Sequence, residues 1–146
     1  MTEVREIDST EVFADTGYWI ALHNPGDEWH GSARDAAVSL VDRRIVTSDM
    51  VLVEFLNFCS RGGATSRRQA AAAVERLWSN PNVEVIPQER GQLNAALRRY
   101  SYRLDQRWSV TDCASFLIME ERGIMEALAY DVDFVQAGFR ALLREA

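Results

Sequence analysis

The sequence predicts an α/β fold built on a central, mainly parallel sheet of four or five strands. Short apolar runs of strand length alternate with longer stretches of helical periodicity, the order from which parallel sheets are built. Those runs are apolar almost throughout, as in strands covered on both faces. The chain has 146 residues, the size of one domain, so residues 1–146 are read as a single unit. Hydrophobic residues make up 47% and charged residues 26%, which is enough for one core and unlike a disordered chain.

Glu11-Val12-Phe13-Ala14-Asp15 is the first strand run, closed by an acid. Residues 16–22 read as a helix stopped by Asn24-Pro25-Gly26. Asp27 is placed to cap a helix reaching residue 41, with Trp29, Ala33, Ala36, Ala37 and Leu40 at helical spacing. Arg44-Ile45-Val46-Thr47 is the second strand. Ser48 or Asp49 caps a helix over residues 50–60 that Arg61-Gly62-Gly63 ends, and another helix over 66–78 stops at Asn80-Pro81. After the strand Val83-Glu84-Val85-Ile86, a helix over 89–104 carries the apolar stripe Leu93, Leu97, Tyr100 and Leu104. A helix from Ser109 to Arg122-Gly123, a strand Ala127-Leu128-Ala129-Tyr130 and a short strand near Gly138-Phe139 complete the reading.

Composition excludes several functions. All 16 basic residues are arginine, so the chain has no P-loop lysine, no Schiff-base lysine and no lysine of the kind phosphorylation receivers use. A net charge of −6 argues against wholesale wrapping of nucleic acid but not against a local arginine patch. No apolar run is long enough to span a membrane, and the polar start Met1-Thr2-Glu3-Val4-Arg5-Glu6 lacks the pattern of a signal peptide. Cys59 and Cys113 sit in apolar runs as free thiols, and a cytoplasmic location is expected.

Four acids stand among apolar neighbours. Asp15 ends the first strand and Asp131 follows the fourth, at the carboxyl edge where open α/β sheets bind ligands. Glu54 shares a helical face with Met50, Val51 and Phe58, which points it inward; Asp112 shares one with Ser115, Phe116 and Met119. Each has a plain structural alternative: Asp15 and Asp112 as helix caps, Glu54 as a paired buried acid, Asp131 as a turn residue. Together they form a costly cluster of like charges that a hard cation, Mg²⁺ or Mn²⁺, neutralises. Such an ion polarises a phosphate and makes water easier to deprotonate, which is the chemistry of phosphodiester hydrolysis. Asp133 competes with Asp131 as the fourth acid. In an extended chain it would lie about 6 Å further along, so it is read as a cap or outer group.

These segments resemble the PIN-domain ribonucleases, in particular the VapC-type toxins of toxin–antitoxin pairs. Val12-Phe13-Ala14-Asp15-Thr16 is similar to the family's opening strand and first acid, and Asp27-Glu28-Trp29-His30-Gly31-Ser32-Ala33 to its D-x-x-H-x-x-A segment. The stretch 47–54 matches the second acid on its helix. Trp108-Ser109-Val110-Thr111-Asp112-Cys113-Ala114-Ser115-Phe116 is close to the third-acid signature, and residues 127–139 resemble the fourth acid and its tail. Ala129 departs from the pattern, because the family usually has a hydroxyl residue there. The resemblance implies a PIN-like three-layer sandwich and a metal-dependent endoribonuclease held inactive by a cognate antitoxin.

The resulting expectation is that Asp15, Glu54, Asp112 and Asp131 hold Mg²⁺ or Mn²⁺ for attack of water on an RNA phosphodiester, with Thr16 and Thr111 orienting the water. The alternative is a catalytically weak PIN-fold module that mainly binds an antitoxin or RNA. Arg61, Arg67 and Arg68, and then Arg98, Arg99, Arg103 and Arg107, are candidate phosphate contacts. His30 is read as fixing its loop by a hydrogen bond rather than as a ligand. The apolar helices between Met50 and Trp78 predict a face for a partner helix or a second subunit, and hence a homodimer.

Overall fold

The computed structural model describes residues 10–145, so the polar amino terminus read above lies outside the described residues. The elements run β1 Glu11–Ala14, α1 Thr16–His23, α2 His30–Ser39, β2 Arg44–Ser48, α3 Asp49–Cys59, α4 Gly63–Ser79 and β3 Val83–Ile86. They continue with α5 Arg90–Tyr102, α6 Val110–Arg122, β4 Glu126–Leu128, α7 Val132–Gln136 and β5 Arg140–Ala141.

All four strand pairings are parallel, in the order β3-β2-β1-β4-β5, as the apolar strand runs predicted. The registers Phe13↔Val46 and Phe13↔Ala127 place β1 at the centre, where Val12, Phe13 and Ala14 are fully buried. Right-handed crossovers send the helices after β1 and β2 to one face and those after β3 to the other. The helix contacts mostly divide the same way: α1 packs on α2 and α3, and α3 on α4, while α5 and α7 pack on α6; α3 and α6 also touch, joining the two groups. The chain direction across the sheet reverses between β1 and β4, and the crevice beyond their carboxyl ends is the ligand position of such sheets.

The opposite edge is closed by charge. Arg122 bonds both Glu11 and Glu84, and Arg43 and Arg140 bracket Glu126. Among the described residues the core also holds an aromatic cluster in which Phe116 meets Trp108, Phe134 and Phe139 with ring centroids 5.0–5.7 Å apart.

Two local expectations are corrected and one is shifted. Asp27 does not cap α2. Its carboxylate accepts the Trp29 amide at 2.8 Å in a tight turn, and the helix begins only at His30. The closing strand expected near Gly138-Phe139 is present but starts just after them, at Arg140–Ala141, because Gly138 turns the chain with φ +98° and the Phe139 amide closes back on the Phe134 carbonyl. The stripe on α5 faces outward: Leu93, Leu97 and Tyr100 are exposed, Leu104 lies exposed beyond the end of the helix at Tyr102, and Ala96 is the buried contact residue of that helix. Periodicity had marked an apolar face without showing whether this domain covers it.

Candidate active site

Asp15 leaves β1 at the crevice, and its amide donates to the Leu128 carbonyl at 3.1 Å, tying together the ends of β1 and β4. It occupies the N-cap position of α1, yet its side chain makes no capping bond. Its pKa is pushed up from 3.8 to about 7. Burial is the main cause; the Thr16 amide opposes the rise, and the charges of Asp112, Glu54 and Asp131 add to it. Asp15 is thus an acid that the fold desolvates and surrounds with three more.

Glu54 comes from α3 and accepts the Thr16 hydroxyl at 2.8 Å. It is half-buried, and its neighbour Phe58 on the same face is 47% exposed, so that helical face does not point wholly inward. Ser48 caps α3 by accepting the Val51 amide, which settles the choice between Ser48 and Asp49.

Asp112 is both a cap and a member of the cluster. In the capping box that opens α6, Ser109 Oγ accepts the Asp112 amide and the Asp112 carboxylate accepts the Ser109 amide, each at 3.0 Å. Its pKa still rises to about 6, first from burial, with Ser109 opposing and Asp133 and Asp131 adding. Thr111 is buried and bonds Ser115 through its carbonyl; no hydrogen bond joins it to the acids among the described residues.

The two candidates for the fourth acid are closer than an extended chain would place them. Asp131 is the N-cap of α7 and accepts the Asp133 amide at 3.0 Å, so the chain turns immediately and the cap is Asp131, not Asp133. Burial and the Asp131 charge push the pKa of Asp133 up, while a hydrogen bond with Asp112 acts against them. Asp131 acts on both Asp15 and Asp112, and Asp133 acts on Asp112.

None of these five carboxylates takes part in an ion pair among the described residues. Burial desolvates Asp15 and Asp112 most, Glu54 and Asp133 are half-buried and Asp131 is exposed; hard oxygen donors without a cationic partner fit a divalent cation such as Mg²⁺ or Mn²⁺. As the side chains rest, no three potential ligands converge among the described residues. Glu54, Asp112 and Asp131 are each turned to a local donor, to Thr16, Ser109 and Asp133 respectively.

Sequence reasoning missed Thr47. It is fully buried, donates to the Ala14 carbonyl at 2.9 Å and accepts Trp19 Nε1 at 3.2 Å, so it fixes the peptide leading into Asp15. Its only signal was a hydroxyl residue ending an apolar strand. His30 donates through Nδ1 to the Ala21 carbonyl at 2.7 Å, the loop-fixing role expected of it. Of the candidate phosphate arginines, Arg99 is paired with Glu120 and Arg103 with Asp105, while Arg61, Arg67, Arg68, Arg98 and Arg107 are exposed.

A sequence profile of the PIN domain matches residues 12–140. The chain is 36% identical over 129 residues to the 23S rRNA-specific endonuclease VapC20 of Mycobacterium tuberculosis, in both strain CDC 1551 and strain H37Rv, covering 88% of this chain and 95% of the relative. The crystal structure of M. tuberculosis VapC20, a sarcin–ricin loop cleaving toxin, is similar with a TM-score of 0.80 and 31% identity, over 89% of this chain and 97% of that one.

Proposed function

This chain belongs to the PIN-domain family, and on that premise we propose that it is a VapC-type toxin: a metal-dependent endoribonuclease that hydrolyses RNA phosphodiesters. The observation that carries the reading is Asp15, desolvated at the crevice between β1 and β4 with its pKa raised to about 7 beside three further acids. Asp15, Glu54, Asp112 and Asp131 are the proposed ligands. When bound, Mg²⁺ or Mn²⁺ supplies charge to polarise the phosphate and promote deprotonation of the attacking water. Thr16 holds the Glu54 carboxylate in place and Ser109 does the same for Asp112, while Asp133 on α7 adds a further negative charge beside Asp112. Thr47 keeps Asp15 aimed by clamping the preceding carbonyl.

The proposed partners are an antitoxin and a second copy of the chain. Val53, Phe58 and Trp78 on α3 and α4, and Leu93, Leu97 and Tyr100 on α5, are exposed apolar residues suited to both. No helix among the described residues is long and apolar enough to cross a membrane, and a cytoplasmic site of action fits an RNA substrate. The test is cleavage of a sarcin–ricin stem-loop RNA by the purified protein with Mg²⁺ or Mn²⁺, with Asp112→Asn as the comparison. Cleavage lost in that variant supports the assignment. Equal cleavage by both removes Asp112 from catalysis, and binding without any cleavage by the parent favours a binding module.

A further inference from the structure

The crevice has a flank that the carboxylate site does not use. Trp29 lies in the turn before α2 with 47% of its surface exposed, and its indole leans on the ring of Tyr130, centroids 5.0 Å apart at 34°. Tyr130 immediately precedes Asp131. Its hydroxyl donates to the Trp29 carbonyl at 3.2 Å and meets Ser32 Oγ at 3.1 Å. Its ring lies 3.5 Å from where a Cβ on Gly17 would stand, two residues beyond Asp15. Exposure of one indole is ordinary on a protein surface. Trp78 is exposed too, but it lies on α4 and has no recorded ring partner among the described residues. Trp29 differs in being braced by an oriented ring beside the acids.

Tyr130 also meets a cation through its backbone carbonyl, and the carboxylate bonded at the platform, Asp27, is turned to the Trp29 amide at 2.8 Å. Arg144 donates to the Tyr130 carbonyl at 3.0 Å, and no carboxylate pairs with it among the described residues. Arg140, four residues earlier, is by contrast paired with Glu126 and Glu145. A flat aromatic face held in advance, with a guanidinium on the backbone of the tyrosine that braces it, matches one nucleotide of unpaired RNA: the base stacks and the phosphate takes the charge-assisted bond.

Resting on the proposed ribonuclease reading, we infer that Trp29, backed by Tyr130 and flanked by Arg144, is a nucleotide-binding platform that seats an unpaired base of the RNA next to the cleavage site. Trp29 and Arg144 are positioning residues for the substrate. Because the platform is preorganised, little ordering cost is left for binding.

The test uses full-length protein carrying Asp112→Asn to block cleavage, with binding of a fluorescein-labelled sarcin–ricin stem-loop RNA followed by anisotropy. Trp29→Leu keeps an apolar cover on Tyr130 but loses the flat face, and Trp29→Phe keeps one. The leucine variant is expected to bind about 5- to 150-fold more weakly, and the phenylalanine variant near the parent. Arg144→Gln is expected to lower the salt slope of binding by about 0.7 to 0.9. Thermal unfolding checks that each variant folds. Unchanged RNA affinity in a folded Trp29→Leu protein, or no RNA binding by the parent, overturns the inference. Cleavage is measured separately with Asp112 intact. A parent that binds with this pattern yet cuts nothing refutes the ribonuclease reading while leaving the platform in place.

Discussion

Replacing Asp15 by asparagine should stabilise the metal-free protein at alkaline pH while ending catalysis. The folded-state pKa of about 7, against 3.8 for the free group, means that the folded state holds this proton more tightly than the unfolded chain does. The stability contribution is therefore fully present below about pH 4 and is lost as pH rises through about 7. At about 1.4 kcal/mol per unit, the deficit is about 1.5 kcal/mol near pH 5 and about 4 kcal/mol near pH 8. Asparagine matches the size of the side chain, can still accept the Thr16 amide and carries no charge, so the variant escapes most of that deficit. The assay is urea unfolding in chelator near pH 5 and near pH 8. The gain of Asp15→Asn over the parent should widen by about 2 to 3 kcal/mol between the two. A gain that does not grow with pH, or a variant less stable than the parent at pH 8, refutes the claim that Asp15 is a desolvated acid within a cluster of acids.

Further outcomes follow from the same geometry. Mn²⁺ or Mg²⁺ should raise the melting temperature of the parent, by an amount set by mass action at the folded site, and should raise that of Asp15→Asn far less; calorimetry at several metal concentrations measures this. Thr16→Val frees the Glu54 carboxylate and should weaken metal affinity about 10- to 100-fold with little change in fold stability, read by metal titration of RNA cleavage. Asp131→Asn should lose activity by orders of magnitude or demand far more metal, because Asp131 acts on both Asp15 and Asp112, while Asp133→Asn should change it only several-fold; the reverse ranking moves the ligand to Asp133. Arg122→Gln removes the ion pair of Glu11 at the opposite edge, while Glu84 keeps Arg44, and should cost about 1 kcal/mol in urea unfolding, with the turnover of folded protein unaltered.

The parallel sheet alternating with helices was legible, though not its strand order, because fully covered strands leave unbroken apolar runs such as Val12-Phe13-Ala14. Asp15 and Asp112 stood out because an acid beside buried residues is expensive, and both prove to have raised pKa values. Reach and direction were not legible. The extended-chain distance that separated Asp133 from Asp131 vanished once the Asp131 carboxylate captured the Asp133 amide and started α7. The α5 stripe had the periodicity of a core helix, yet Leu97 is 53% exposed, since spacing alone does not reveal which faces one chain covers by itself. Thr47 and the Trp29–Tyr130 contact depend on residues 28 or more positions apart, pairings that only the folded sheet creates.

The central claim is that carboxylates at the β1–β4 crevice cut RNA through a divalent cation, and the identity of the product ends tests it most directly. With purified protein, sarcin–ricin RNA and Mg²⁺ or Mn²⁺, mass spectrometry should show 5′-phosphate and 3′-hydroxyl ends, because water rather than the neighbouring 2′-hydroxyl attacks. Cleavage should stop in chelator and in Asp15→Asn. Cleavage that persists in chelator and leaves 2′,3′-cyclic phosphate ends would contradict the account.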